Sequence, residues 1–425
     1  MKKDKKICVI GLGYIGLPTA CYLASSGYQV IGVDINKKKI ESLVKSKLPF
    51  FEPGLGKLFK TARKNLEISL KSQKADIFII SVPTPITSKK KADLKFVIQA
   101  AKDINKVLNN GNLVILESTV PPGTVEKVVL PILLKGHKNF KIYLSHAPER
   151  AIPGNTLLEM KNNDRIIGGI DKKSAFLAKQ IYSSFVKGDI CLTDATTAEF
   201  VKLIENTFRD INIAFANELA KLSDKIDVNV WEAIKLANLH PRVNIHSPGP
   251  GVGGHCIGVV PWFLINTRPN DTQAIKLARQ INDSMPAYVI KYISLMLKGI
   301  KNPRITILGV AYKANVDDWR ETPALQIIKL AKNKKWQVKI HDPLVKNFPY
   351  SITTDFNKAT EDSDCLVLIT NHNFYKKINP EQIRNMRNKK IFDSRNFINK
   401  EKWQKAGFKV KILGDGEKLP NSQNL

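Results

Sequence analysis

Long apolar runs are missing from this chain. No stretch approaches the ~20 consecutive apolar residues that cross a bilayer, so a helical membrane protein is not expected. Cysteine is scarce, at 5 of 425 residues. Cys8, Cys21, Cys191, Cys256 and Cys365 form no C-x-x-C pair, and no histidine cluster with ligand spacing accompanies them. That pattern excludes a structural zinc site and argues against a disulfide framework, so no metal and reduced thiols are expected. Acidic residues are few, 38 Asp+Glu against 67 Lys+Arg, for a net charge of +29. A basic balance can serve nucleic acid, a membrane surface or a small anionic ligand. The lysines are spread along the whole chain without a helix-turn-helix, zinc or RNP pattern, which favours the small anionic ligand over nucleic acid. Short-period repeats and low-complexity linkers are also lacking. The apolar run after Met1–Lys6 is too short for an export signal, and a cytoplasmic protein with no membrane partner is the expectation.

What is present is a repeating alternation. Ile7-Cys8-Val9-Ile10, Gln29-Val30-Ile31-Gly32-Val33, Ile77 to Val82, Leu113 to Leu116 and Lys141 to Leu144 read as buried parallel strands. Helical patterns such as Gly16 to Ser26 and Phe96 to Leu108 separate them. From Thr196 to Leu239 the pattern turns helical, with Phe200, Leu203, Ile204, Phe208, Ile211 and Phe215 spaced to share a face. A second helical stretch covers about 272–297, and strand-helix alternation restarts at Arg304 to Val310, Gln337 to Ile340, Cys365 to Ile369 and Ile391 to Asp393. The expected architecture is α/β: two Rossmann-like, doubly wound parallel-sheet domains joined by a central helical segment, with boundaries at 1–194, 195–300 and 301–425.

Gly11-Leu12-Gly13-Tyr14-Ile15-Gly16 follows the first strand and opens a helix. The first glycine permits the turn, the second lets backbone reach a pyrophosphate, and the third allows close helix-strand packing. Asp34 ends the second strand, where a carboxylate accepts hydrogen bonds from an adenosine ribose. A dinucleotide is therefore expected, and Asp34 favours NAD over its 2′-phosphorylated form. Lys37, Lys38 and Lys39 beside it soften that preference, and Lys39 is a candidate contact. Ser81-Val82-Pro83-Thr84-Pro85 and Ser118-Thr119-Val120-Pro121-Pro122-Gly123-Thr124 each follow a strand, at the sheet edge where ligands bind. Ala147-Pro148-Glu149-Arg150 holds a third such position. Lys202 and Asn206 lie i, i+4 on one helix face. Pro248-Gly249-Pro250-Gly251-Val252-Gly253-Gly254-His255-Cys256 wraps a thiol in glycine and proline, giving clearance for a substrate.

Together these words resemble the nucleotide-sugar dehydrogenase family, which includes UDP-glucose and GDP-mannose dehydrogenases. The resemblance spans Gly11 to about Arg395 and looks closest to the branch acting on UDP-N-acetylhexosamines. The words behind that closer match are Pro148-Glu149-Arg150 with Pro153-Gly154, Glu205-Asn206-Thr207-Phe208-Arg209-Asp210, and His240-Pro241-Arg242-Val243-Asn244. It implies a four-electron oxidation of a sugar C6 alcohol to a carboxylate with reduction of two NAD+. UDP-N-acetylmannosamine is the implied substrate, with UDP-N-acetylglucosamine the alternative and UDP-glucose a lesser one. Cys256 as thiolate would form a thiohemiacetal and then a thioester, which water hydrolyses. By similarity Lys202 and Asn206 would donate to the developing oxyanion, and Thr119 and Glu149 would hold water or assist proton transfer. Thr84, Thr119 and Arg320 would join Tyr14, Ile15 and the glycines around NAD. Glu149, Arg150, Lys202, Asn206, Arg209, Arg242, Gly253, Lys313 and Arg395 would contact the UDP-sugar. The family's middle helices form a dimer interface, which implies a homodimer with Arg242 reaching the neighbouring site. One position departs from the family: its pattern after the cysteine is Cys-x-x-x-Asp-Pro, and here Val260 replaces that aspartate. Valine neither takes a proton nor bonds an ammonium, a loss of about 10²–10⁴ in rate where the group is needed. That leaves a hydrolysis-impaired enzyme, or an inactive nucleotide-sugar binder, as the competing expectation.

Overall fold

A computed structural model describes residues 4–137 and 139–418. The chain divides into two compact units, one of Met1–Glu205 with Trp262–Thr267, the other of Asn206–Pro261 with Arg268–Leu425.

The first unit is built on eight strands. They are β1 (Lys6–Ile10), β2 (Gln29–Val33), β3 (Leu66–Ser69), β4 (Ile77–Ile80), β5 (Leu113–Leu116), β6 (Tyr143–His146), β7 (Arg165–Gly169) and β8 (Ile190–Asp194). Their order is β3-β2-β1-β4-β5-β6-β7-β8. Every neighbouring pair is parallel except β6 with β7, which runs antiparallel. β1 shows why these runs become strands. Ile7 and Val9 enter one core with Leu17, Ala20 and Leu23 of the helix Gly16–Ser25, while Cys8 and Ile10 enter the other with Phe78 and Ile80. Successive residues point to opposite faces, so a strand covered on both sides needs apolar residues at every position. Burial raises the Cys8 and Cys21 thiols to about 11 and 12, which marks both as inert core residues.

The second unit carries a five-stranded parallel sheet in the order β10-β9-β11-β12-β13. These strands are β9 (Arg304–Leu308), β10 (Gln337–His341), β11 (Cys365–Leu368), β12 (Lys390–Asp393) and β13 (Lys409–Ile412). Its core joins Ile305 and Ile307 of β9 to Val289, Ile293 and Met296 of the helix Gln273–Met296 and to Ile327 and Ile328. The helix Ala195–Ser223 is continuous across the division between the units. Three expected strands are displaced by two residues at an end: the run into Val82 stops at Ile80, the run into Val310 stops at Leu308, and the run from Lys141 begins at Tyr143. β3, β7, β8 and β13 lie where the apolar pattern is broken by Glu67, Arg165, Thr193 or Lys411, so no strand was expected there.

Candidate active site

In the first unit the glycine turn has the shape its three positions require. Gly11 sits at φ +96°, and a Cβ there would lie 2.3 Å from the Ser81 carbonyl oxygen. A Cβ on Gly16 would lie 1.9 Å from the Gly11 carbonyl oxygen, so helix and turn touch directly. Gly13 is different: nothing lies within 4 Å of its Cβ position. The turn is packed tight at its first and third glycines and open at its second, which fits a pyrophosphate at the helix N-terminus. Asp34 is 8% exposed and accepts the Leu12 N–H at 3.0 Å and the Asn36 N–H at 2.9 Å. Lys39 reaches it at 2.5 Å. Tyr14 stacks on Phe50 with ring centroids 4.2 Å apart.

The two hydroxyl-rich turns are tied together at the same sheet edge. The Ser118 hydroxyl accepts the Val82 N–H at 2.9 Å and donates to the Val82 carbonyl at 2.7 Å. The Thr84 hydroxyl donates to the Thr119 carbonyl at 2.6 Å. Glu199 clamps the far end of the second turn by accepting the Gly123 and Val125 N–H groups, at 2.5 and 2.8 Å. Burial lifts this carboxyl to about 7 against the pull of those two donors. Glu199 precedes Lys202 by three residues on one helix, so the clamp also sets where Lys202 projects. Burial, with the Lys202 charge adding, drives the His146 imidazole at the end of β6 down to about 3.

Glu149 and Arg150 follow β6. One Glu149 oxygen accepts the Arg150 and Ala151 N–H groups at 2.7 and 2.9 Å, and the other meets the Arg165 guanidinium in a close ion pair. Arg150 pairs with Glu205 at 2.8 Å. Arg165 was not anticipated. It lies buried at the start of β7 over the Tyr182 ring, 4.3 Å from its centroid, with its other nitrogen 3.9 Å from Glu117. Glu117 also takes the Tyr182 hydroxyl at 2.7 Å and the Thr19 hydroxyl at 3.2 Å. Burial raises Glu117 to about 7 although Arg165 and Tyr182 lower it. The available signal was a polar residue at each end of an apolar run, Glu117 after β5 and Arg165 opening β7.

In the second unit the cysteine loop packs on the segment that follows β9. A Cβ on Gly253 would lie 2.9 Å from the Glu321 carbonyl oxygen, the Pro323 ring and the Tyr312 side chain, and one on Gly254 would lie 2.8 Å from the Tyr312 ring. A Cβ on Gly249 would lie 2.5 Å from Arg395 Nη1. These glycines are therefore accounted for by protein packing, whereas the sequence suggested clearance for a ligand. Gly254 donates to the Arg320 carbonyl at 3.0 Å, and the Arg320 guanidinium pairs with Asp318 at 2.6 Å. Cys256 itself is exposed, and its carbonyl accepts the N–H groups of Val259 and Val260 at 3.2 and 2.9 Å. Val260 is 4% exposed. Asn206 is buried, and its Nδ2 has no hydrogen-bond partner. Lys313 is exposed, and Arg395 donates to the Ile369 carbonyl at 3.0 Å. Arg209 and Arg242 are exposed on the helical part, Arg242 beside His240. Among the described residues no group of His, Cys, Asp and Glu could hold a metal.

A glycine turn open at its second position, with an acid at the next strand end, defines a dinucleotide-binding α/β protein. Sequence comparison sharpens this. Patterns of the UDP-glucose/GDP-mannose dehydrogenase family match in three parts: its NAD binding domain over residues 5–186, its central domain over 196–284 and its UDP binding domain over 306–400. The UDP-N-acetyl-D-mannosamine dehydrogenase of Methanococcus vannielii is 49% identical, over 98% of each chain. That of Campylobacter jejuni is 43% identical, over 90% of this chain and 99% of its own. The solved structure of the UDP-D-ManNAc dehydrogenase from Pyrococcus horikoshii matches with a TM-score of 0.91 at 42% identity, over 97% of this chain and 99% of that one. The chain belongs to the UDP-glucose/GDP-mannose dehydrogenase family, and it is an NAD-dependent nucleotide-sugar dehydrogenase by that membership.

Proposed function

We propose that the chain oxidises the C6 alcohol of UDP-N-acetyl-D-mannosamine to the carboxylate, reducing two NAD+. The observation that carries this reading is the similarity, along 98% of the chain, to a relative of that activity at 49% identity. Gly11, Gly13, Gly16 and Asp34 would hold NAD+, which would supply the hydride acceptor for each oxidation.

The chain's own residues divide the remaining work. Loss of the first hydride and a proton turns the alcohol into an aldehyde. The Cys256 thiolate adds to that carbonyl, and the new oxygen takes a proton to give a thiohemiacetal. Loss of the second hydride and a proton leaves a thioester, which water cleaves to the carboxylate and the thiol. Negative charge builds on oxygen at each tetrahedral stage. The unpartnered Nδ2 of buried Asn206 and the Lys202 ammonium are the donors we assign to it. Thr119, held by Thr84, orients water, and Glu149, fixed by Arg165, supplies fixed negative charge for proton transfer. Lys313, Arg395, Gly253, Arg150 and Arg209 are assigned to the UDP-sugar and Arg320 to NAD. Val260 favours a second reading for the last step alone, in which the thioester forms but is released slowly.

Phe200, Ile204, Phe208, Ile211 and Phe215 form an exposed apolar stripe along one helix, which a second copy of the chain would cover in a homodimer. Arg242 would then serve the partner's site. No described helix is long and apolar enough to cross a membrane. We infer a cytoplasmic enzyme of polysaccharide or glycan precursor synthesis, with the three domains 1–194, 195–300 and 301–425. The deciding assay gives the purified chain NAD+ with UDP-N-acetylmannosamine, UDP-N-acetylglucosamine or UDP-glucose. Two NADH per sugar with the first substrate, and slower turnover of the others, is expected. Faster turnover of either other sugar overturns the assignment.

A further inference from the structure

The segment carrying Lys313 is held by three residues that follow β11. The Thr370 hydroxyl donates to the Ala311 carbonyl at 2.6 Å. The Asn373 N–H donates to the Asn315 side-chain oxygen at 2.9 Å. Between them the Asn315 N–H donates to Nδ1 of His372 at 2.9 Å. Asn315 stands at φ +61°, in the left-handed region that asparagine adopts more readily than most residues. The other His372 nitrogen, Nε2, lies 3.1 Å from Asp342 Oδ2. Asp342 in turn accepts the N–H groups of Val310 and Ala311 at 2.8 and 3.2 Å, at the start of the same segment.

This network leaves His372 a single arrangement. A backbone N–H can only donate, so Nδ1 must offer its lone pair and Nε2 must carry the hydrogen that faces Asp342. Without that lone pair the part-buried Asn315 N–H loses its partner and the Lys313 segment loses one of its three ties. We propose that His372 is a positioning residue for the Lys313 segment, and that the Nδ1 lone pair it offers Asn315 supports nucleotide-sugar binding. This rests on the reading that Lys313 contacts the nucleotide sugar.

Other titratable groups stand around His372. They are Asp342, His341 on β10 and Tyr375, whose ring lies 6.0 Å away, with Asp355 facing His341. Burial raises Asp342, but the His372 contact and the backbone donors outweigh it and hold the carboxyl at about 2. Burial likewise keeps His341 below the usual histidine range, although the Thr354 carbonyl draws it up. Tyr375 is pushed well above the ordinary tyrosine value by burial first and the Asp342 charge second.

Two substitutions separate the two nitrogens. In His372→Asn the amide oxygen sits as many bonds from Cβ as Nδ1 did, so it accepts from Asn315 and does not titrate. In His372→Gln the amide nitrogen matches Nε2, so it keeps Asp342 and loses the acceptor. The probe is UDP-N-acetylmannosamine without NAD+, because its diphosphate diester holds a constant charge. Its Kd is measured on the full chain at pH 7.5, with NAD+ Kd in parallel. His372→Gln should bind about tenfold more weakly than wild type, the cost of one lost hydrogen bond, and His372→Asn should recover most of that affinity. NAD+ binding should not move. The proposal fails if His372→Gln binds like wild type, if His372→Asn does not recover the affinity, or if NAD+ affinity falls in step. Absence of sugar binding in every protein would instead overturn the assignment of Lys313.

Discussion

Asp342 repeats in the second unit the backbone bond that Asp34 makes in the first. Each ends the strand beside the first strand of its sheet, and each accepts the N–H that follows a glycine at positive φ. Leu12 donates to Asp34 at 3.0 Å and Val310 to Asp342 at 2.8 Å. The two carboxylates differ in what covers them. Asp342 is fully buried and meets a buried imidazole, whereas Asp34 meets the partly exposed Lys39 ammonium. A ribose hydroxyl can take the place of an ammonium at the surface but not of a packed ring. The second sheet has kept the dinucleotide fold and closed the dinucleotide edge.

Asp34→Ala should therefore raise KM for NAD+ about tenfold or more, the usual cost of losing a hydrogen bond to a charged acceptor. It should also leave Lys39 without its carboxylate, ready to meet a 2′-phosphate. Initial rates with NAD+ and NADP+ test both effects. An unchanged preference for NAD+ in the variant would show that Asp34 does not exclude the phosphate.

Val260 makes the last chemical step the one to test by repair. Val260→Asp restores a group that can accept a proton beside the thiol loop, and steady-state turnover should rise on the order of 10²-fold. In rapid mixing the present chain should give a burst of NADH and then a slow phase, with the sugar bound to Cys256. Cys256→Ala should abolish the slow phase, with turnover down on the order of 10⁴-fold or more. A linear trace without a burst, unaltered by Val260→Asp, would mean that thioester release is not limiting.

Much of this was legible in the residues because the physics was local. β1, the glycine turn and Asp34 lie within one strand-turn-helix-strand passage, and spacing alone marks Gly11 and Gly16 as the packed positions and Gly13 as the open one. β3 and β13 escaped because Glu67 and Lys411 interrupt their apolar runs. Lys411 is buried only because Asp224 and Asp415 reach it, at 3.0 and 2.6 Å, and Asp224 is distant in sequence. Arg165 and Glu117 escaped for the same reason. A charge becomes a core residue through a partner that the fold supplies, and no spacing rule names that partner in advance. The cysteine loop was read for its clearance, but whether a ligand or Tyr312 fills that space is a tertiary fact.

The apolar stripe of the helix Ala195–Ser223 gives a prediction about assembly. Phe208 is 59% exposed, with Ile204 and Ile211 beside it on the same face. Phe208→Glu places a charge where the second copy would sit and should convert the proposed dimer to monomer in sedimentation velocity. Turnover should fall with it if Arg242 completes the partner's site. A sedimentation coefficient that does not change would remove this face from the interface.

Glu117 sets a pH dependence of stability whose sign follows from its raised pKa. Burial lifts the folded-state carboxyl to about 7, while an exposed glutamate in the unfolded chain titrates near its ordinary ~4.3. Between those values the native state holds a proton that the unfolded state has lost. Unfolding free energy then falls as pH rises, by about 1.4 kcal/mol per pH unit for one such group. The contribution is full below the unfolded pKa and is gone once pH passes the folded value. Glu117→Gln keeps the shape and cannot titrate, so denaturant unfolding of the full chain from pH 5 to 7 should lose that slope. Glu199, also lifted to about 7, should still supply its own. The variant loses the Arg165 charge contact as well, so the slope and not the absolute stability is the quantity to read. An identical slope in variant and wild type would mean that Arg165 keeps Glu117 ionised throughout this range.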